Sequence, residues 1–146
     1  MRELPRQLSF EELAELFEGR TRLVELLAGR EQPLEAAPEV LAELSAADKL
    51  EALDAHPAIG ARAGLSERSA AEQGADADPV ILTELAYLNQ VYEEKFGFRF
   101  VVFVDGRPKS EILEILQQRL DRTREEELQT GLRELVAIAR DRWLRG

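Results

Sequence analysis

Phe96-Gly97-Phe98-Arg99-Phe100-Val101-Val102-Phe103-Val104 is the stretch on which the fold class turns. It alternates at first as a strand does, becomes wholly apolar, and closes on Asp105-Gly106, a dipeptide suited to a tight turn. A lone strand has nowhere to send its backbone hydrogen bonds, and the chain offers no second convincing strand to pair with it. The stretch therefore reads as an extended segment threaded across a helical core, with some N–H and C=O groups available to a polar ligand. Burial of its Phe and Val side chains in the core is compatible with that role. The expected fold is all-α: a single-domain bundle of about eight helices over residues 1–146, with this extended segment bordering a pocket.

Outward from the segment, Val80 to Glu94 is the clearest amphipathic helix, carrying Ile81, Leu85, Leu88 and Tyr92 at helical spacing. Two long helices follow, Ser110 to Leu120 and Arg124 to Leu144. Toward the N-terminus, Ser9-Phe10-Glu11-Glu12 has the form of a capping box, with Gly19 as a stop. Thr21 to Ala28 repeats the helical pattern and closes on Gly29. Glu31 to Pro38, with two prolines, reads as a connector leading to a short helix over Glu39 to Leu44. Ser45 caps the next helix, Ala46 to Asp54. Gly60 to Gly64 reads as a loop, Ser66 to Gly74 as a helix, and Asp76 to Pro79 as another loop.

Composition narrows the function. The chain has 146 residues, 19 Lys plus Arg against 29 Asp plus Glu, and a formal net charge of −10. That balance argues against nucleic acid, which needs a basic face to displace counterions. It also repels small anions at long range, so an anionic ligand needs a local guanidinium. The absence of cysteine excludes disulfides and thiolate metal sites, and one histidine makes a zinc or iron centre improbable, so no metal is expected. No apolar run approaches the ~20 residues of a membrane span. The lack of cysteine suits a cytoplasmic location, which is the one expected; the N-terminus shows no signal-peptide core and the C-terminus no peroxisomal address.

His56, the only histidine, lies in Asp54-Ala55-His56-Pro57-Ala58-Ile59-Gly60. Its side chain is the one whose ordinary pKa suits proton transfer near neutrality. Pro57 disfavours the α region for its predecessor, so the helix from Ala46 should stop at about His56. The imidazole then meets the negative end of the helix dipole, which favours its protonated form. A histidine that merely caps carbonyls satisfies the same pattern. Ser69-Ala70-Ala71-Glu72 likewise has the form of an ordinary capping box, and Arg142 alone reads as a surface charge near a helix C-terminus. Arg62, Arg68, Arg99 and Arg107 read as solvated, although Arg99 and Arg107 flank the extended segment.

Taken in order, these motifs resemble a known family. His56-Pro57, Ser69-Ala70-Ala71-Glu72-Gln73, Leu88-Asn89-Gln90-Val91-Tyr92 and Lys95 through Val102 are followed by Gly106-Arg107 and Glu111-Ile112-Leu113. Arg119-Leu120 comes next, and the series ends on Glu134, Ile138 and Arg142. The set resembles the OHCU decarboxylases, which act on 2-oxo-4-hydroxy-4-carboxy-5-ureidoimidazoline, an intermediate of urate breakdown. The resemblance runs from about Phe10 to Trp143. It implies an all-helical, often dimeric carboxy-lyase that converts OHCU to (S)-allantoin without a cofactor, and a homodimer is expected. It places the catalytic residues on His56, Glu72 and Arg142. It places substrate contacts on Pro57, on Ser69, Ala70, Ala71 and Gln73, and on the backbone of Phe100, Val101, Val102, Phe103 and Val104. Three departures bear on loop shape and pocket rim: the run Gly74-Ala75-Asp76-Ala77-Asp78, Arg122 where asparagine is common, and Trp143 in place of leucine.

The chemistry fits such a trio. Loss of the carboxylate leaves electron density on a ring carbon, which must be delocalised while a proton reaches one face. His56 can carry the proton, Glu72 can orient the imidazole or hold ureido N–H groups, and Arg142 can fix an anionic oxygen with its planar fork of donors. Two other readings compete: a non-catalytic helical interaction module with the Phe-rich segment as its groove, and a cofactor-free hydrolase or isomerase of a related ureide.

Overall fold

Local capping decides where most of the helices begin. Helix α1 (Phe10–Leu16) opens on a complete capping box: the Glu12 N–H donates to Ser9 Oγ at 3.1 Å and the Ser9 N–H to Glu12 Oε1 at 3.0 Å. Helix α2 (Arg22–Ala28) starts at Thr21, whose hydroxyl accepts from the Val24 N–H, and stops at Gly29. Helix α3 (Pro33–Glu43) replaces the connector and short helix expected over residues 31–44. Pro33 occupies the first turn, where a missing N–H is harmless, and Pro38 lies inside the helix on its exposed side. An interior proline costs ~3 kcal/mol. Burial of Leu34, Ala37, Val40 and Leu41 on the other face offsets that cost, a tertiary contribution that local breaker rules miss. Helix α4 (Ala46–Asp54) starts at Ser45, as expected.

The computed structural model describes residues 3–59 and 78–146, and over these it is all-helical, with seven helices and no strand. The loop expected over Gly60–Gly64 and the eighth helix expected over Ser66–Gly74 lie outside the described residues. Helix α5 (Pro79–Phe96) is N-capped by Asp78, which accepts from the Val80 N–H at 2.9 Å, and ends at Gly97 in the left-handed region, φ 81°. Helix α6 (Lys109–Arg119) follows Pro108, and α7 (Arg124–Arg145) is the longest. No described helix is long and apolar enough to cross a membrane.

The chain forms two compact units. The first comprises Met1–His56 and Leu132–Gly146. In it α2 packs on α1, α3 and α4, with Leu23, Val24 and Leu27 wholly inaccessible, and α7 buries Leu135, Ile138 and Ala139. Gly19 is needed here for space: a Cβ at that position would sit 2.7 Å from the Ala55 Cβ.

The second unit comprises Pro57–Gly131. There α5 packs on α6, joining Leu85, Tyr92 and Phe96 to a core that holds Ile112 and Leu116. Between these helices residues 98–104 run without helix or strand, and the segment reverses at Asp105 and Gly106, φ 49° and 73°, with the Arg107 N–H donating to Val104 O at 3.0 Å. Positive φ at both central positions is the type I′ turn that the dipeptide foretells. Tyr92 stands amid the aromatic side chains, its ring centroid 4.6 Å from Phe96, 5.2 Å from Phe100 and 6.0 Å from Phe98.

Candidate active site

His56 follows α4 by two residues, and its N–H donates to Leu53 O at 3.2 Å, closing the last turn. The side chain is buried, 8 % exposed. Two contacts fix this end of α4 within the first unit. The Arg22 N–H donates to Glu51 Oε1 at 2.7 Å, and Ala55, the residue before His56, lies against Gly19 with no room for a further carbon. The histidine is thus held at the negative end of a short, doubly anchored helix.

Arg142, in the same unit, is not the surface charge its position suggests in isolation. It is 2 % exposed; Nη1 donates to Leu16 O at 2.9 Å, and Nη2 lies 3.3 Å from Glu18 Oε1. Glu18 adopts φ 61°, a left-handed conformation unusual for a residue with a Cβ. Desolvating a guanidinium costs several kcal/mol unless hydrogen bonds or an opposite charge offset it. The α1 terminus supplies hydrogen-bonding partners through Leu16 and Glu18.

In the second unit, Phe100, Val101, Val102 and Val104 are buried and Phe103 is half-buried. The missing partner strand is replaced by arginine side chains. Arg124 Nε donates to Phe96 O at 2.8 Å, Arg119 Nη1 to Val101 O at 2.8 Å, and Arg107 to both Val104 O (through Nε, 3.0 Å) and Phe103 O (through Nη2). Arg107 is therefore a clamp on backbone carbonyls and not a solvated charge, while Arg99 pairs with Glu93 at 3.3 Å. Arg119 is itself fixed: its Nε donates to Glu127 Oε1 at 2.7 Å and its guanidinium lies 4.6 Å over the Phe100 ring. Its Nη2 is buried and has no hydrogen-bond partner among the described residues.

Glu127, wholly buried, also accepts from the Tyr92 hydroxyl at 2.6 Å and from Arg122 Nη1 at 2.9 Å. Arg122, one of the departures from the family pattern, thus neutralises a buried carboxylate and also reaches Thr130 Oγ1 at 2.8 Å. Burial first, and the hydrogen bond to Glu127 second, raise the Tyr92 phenol well above its ordinary pKa.

Pro57 belongs to the second unit and is half-buried. Ser69, Ala70, Ala71, Glu72 and Gln73 lie outside the described residues. Asn89, named in the sequence only as part of a motif, proves to be buried, and its Nδ2 donates to Ile59 O at 3.0 Å and Leu85 O at 2.9 Å. It ties the chain that follows Pro57 to α5. A polar residue at the i, i+4, i+7 positions of a buried stripe, as Leu85, Asn89 and Tyr92 are, was the available signal.

Comparison with known proteins bears on the family of the chain. A family model described as OHCU decarboxylase matches residues 2–144. A 2-oxo-4-hydroxy-4-carboxy-5-ureidoimidazoline decarboxylase of Halalkalicoccus jeotgali is 34% identical over 109 residues, 72% of this chain and 62% of the relative. The chain therefore spans about three-fifths of that relative's length. One from Xenopus laevis is 30% identical over 150 residues, 90% of this chain and 85% of the relative. A solved structure of OHCU decarboxylase in the presence of (S)-allantoin superposes with a TM-score of 0.77 at 24% identity, over 92% of this chain and 96% of that one, a likeness of fold.

Proposed function

Because the chain belongs to the OHCU decarboxylase family, we propose that it decarboxylates OHCU to (S)-allantoin as a carboxy-lyase of urate degradation, with His56, Glu72 and Arg142 as its catalytic residues. The observation that carries the reading is Arg142: a guanidinium 2 % exposed, in the same compact unit as the only histidine of the chain, suits a substrate anion better than it suits solvent.

In this reading Arg142 fixes the substrate anion. The C–C bond to the carboxylate breaks, CO2 departs, and the electron pair passes into the unsaturated ring. One proton is then taken up on one face, which sets the configuration. His56 exchanges that proton, and Glu72 orients the imidazole or accepts from ureido N–H groups. Pro57, Ser69, Ala70, Ala71 and Gln73 line the substrate, and the backbone of Phe100 to Val104 receives its polar edges. The 146 residues act as one catalytic domain, working as a cytoplasmic homodimer without metal or organic cofactor; sedimentation tests the dimer.

The decisive measurement follows freshly generated OHCU with chiral detection of allantoin. The wild-type chain should accelerate CO2 loss and yield the S enantiomer. His56→Ala should remain folded and lose ~100- to 10,000-fold in rate, the scale of general acid–base catalysis. Racemic allantoin from the wild-type chain, or a His56→Ala variant with full turnover, would overturn the assignment.

A further inference from the structure

We propose that Arg107 and Arg119 are positioning residues that hold one edge of the Phe98–Val104 segment, so that the opposite edge, at Phe100 and Val102, presents the hydrogen-bonding groups a substrate takes. The inference rests on the reading of this segment as substrate-binding and names the atoms involved.

The argument begins with extended-chain geometry. Residues 98–104 contain no positive φ and no helical turn; positive φ falls at Gly97 and at Asp105-Gly106, and past a bend at Phe98 the chain is taken as extended. In an extended chain the N–H and C=O of one residue point to the same side, and those of the next residue point to the other. Val101 and Phe103 therefore share an edge, and Phe100 and Val102 share the opposite one. Two of the three carbonyls that the arginines hold, at Val101 and Phe103, fall on the first edge. Arg119 Nη1 takes Val101 O, and Arg107 Nη2 takes Phe103 O. At the corner, Arg107 Nε and the Arg107 N–H both donate to Val104 O at 3.0 Å.

The opposite edge is different. Among the described residues no hydrogen bond reaches the backbone N–H or C=O of Phe100 or Val102, although these residues are 1 % and 6 % exposed. Buried backbone groups are nearly always met by protein, water or ligand, because leaving one unmet is costly. A neighbouring strand would have paired with one edge in a ladder, meeting its N–H and C=O groups alike. Guanidinium groups reach over and fix one edge alone, and they do so rigidly: Arg119 is held by Glu127 and stacked on Phe100, and Arg107 is closed into the turn. The result is a two-faced segment, one edge occupied by donors and one edge offering an amide and a carbonyl on each of two successive same-side residues.

Arg107 is the better probe, since removing Arg119 also strands Glu127. Arg107→Ala, Arg107→Lys and wild type are to be compared by amide hydrogen exchange without ligand, by KM and kcat on OHCU, and by exchange with saturating (S)-allantoin. Arg107→Ala should speed exchange at Phe100 to Val104 and raise KM ~10-fold, with kcat changed less than ~3-fold, the pattern of lost binding and not of lost chemistry. Arg107→Lys, which can restore one of the bonds, should recover part of the KM. (S)-Allantoin should protect the Phe100 and Val102 amides and leave Val101 unchanged. Unaltered exchange and KM in Arg107→Ala, or protection falling on Val101 or on neither edge, would overturn the proposal. A wild-type chain inert toward OHCU would instead sink the substrate reading, and the ligand-free exchange would still judge the clamp.

Discussion

Glu127 accepts hydrogen bonds from Tyr92, Arg119 and Arg122, and each donor has a separate energetic consequence. Removing one partner of a buried ion pair costs ~3–5 kcal/mol, whereas removing the neutral phenol leaves two guanidinium groups on the carboxylate and should cost ~1–2 kcal/mol. Tyr92→Phe is therefore expected to lower the melting temperature by several degrees without unfolding the chain. It should also change the response to alkali. Burial and the Glu127 hydrogen bond raise the phenol pKa in the folded state above the 10.0 of a free tyrosine. Below pH about 10 the phenol is protonated in both states and its contribution is intact. Above that pH the unfolded chain loses the proton first, so stability falls as pH rises. Denaturant midpoints at pH 9 to 11.5 should decline more steeply for wild type than for Tyr92→Phe; parallel declines would refute the assignment. Little of this network was legible beforehand. Arg119 entered only as part of a motif, and its partners Glu127 and Val101 are 8 and 18 residues away, beyond any local rule.

At the scale of elements, the placement of His56 depends on how closely the turn after α1 approaches the end of α4. Gly19 makes that approach possible, and an added Cβ would stand 2.7 Å from Ala55 Cβ. Gly19→Ala should therefore force the end of α4 outward, costing ~1–3 kcal/mol as overpacking does. Because Ala55 adjoins His56, turnover of OHCU should fall by more than the lost folded fraction explains. Calorimetry and turnover at a temperature well below melting separate the two effects, and unchanged turnover would dissociate Gly19 from the site. In the sequence this glycine is marked only as a helix stop, because steric need between distant elements leaves no local mark. The capped starts of α1, α2 and α4 and the Asp105-Gly106 turn were legible for the opposite reason: their partners lie within three or four residues. Helix α3 departs from the sequence expectation where a breaker rule meets a buried apolar face. Of the candidate site, His56 stands out as the only histidine and Arg142 comes from the resemblance, whereas Arg107 and Arg119 enter only as members of motifs and nothing local marks them as holding the extended segment.

For the molecule as a whole, a formal charge of −10 opposes the approach of any anion. The guanidinium assigned to the substrate acts only at short range, while the repulsion reaches ~30 Å at 0.01 M salt and about 8 Å at 0.15 M. Raising ionic strength across that interval should thus increase kcat/KM for OHCU and leave kcat nearly constant. A decrease in kcat/KM would mean that local attraction governs encounter.

The arginine-held segment has a consequence for colloidal behaviour as well. Phe98 to Val104 is seven residues long, β-prone and free of proline, the composition that seeds cross-β stacking when its backbone edge is open. In this fold its carbonyls at Val101, Phe103 and Val104 are met by groups that donate hydrogen bonds and accept none. A foreign strand that docked there would find those acceptors taken and positive charge beside them, so a ladder could not propagate from chain to chain. The arginines thus act as gatekeepers on one edge of an aggregation-prone heptad.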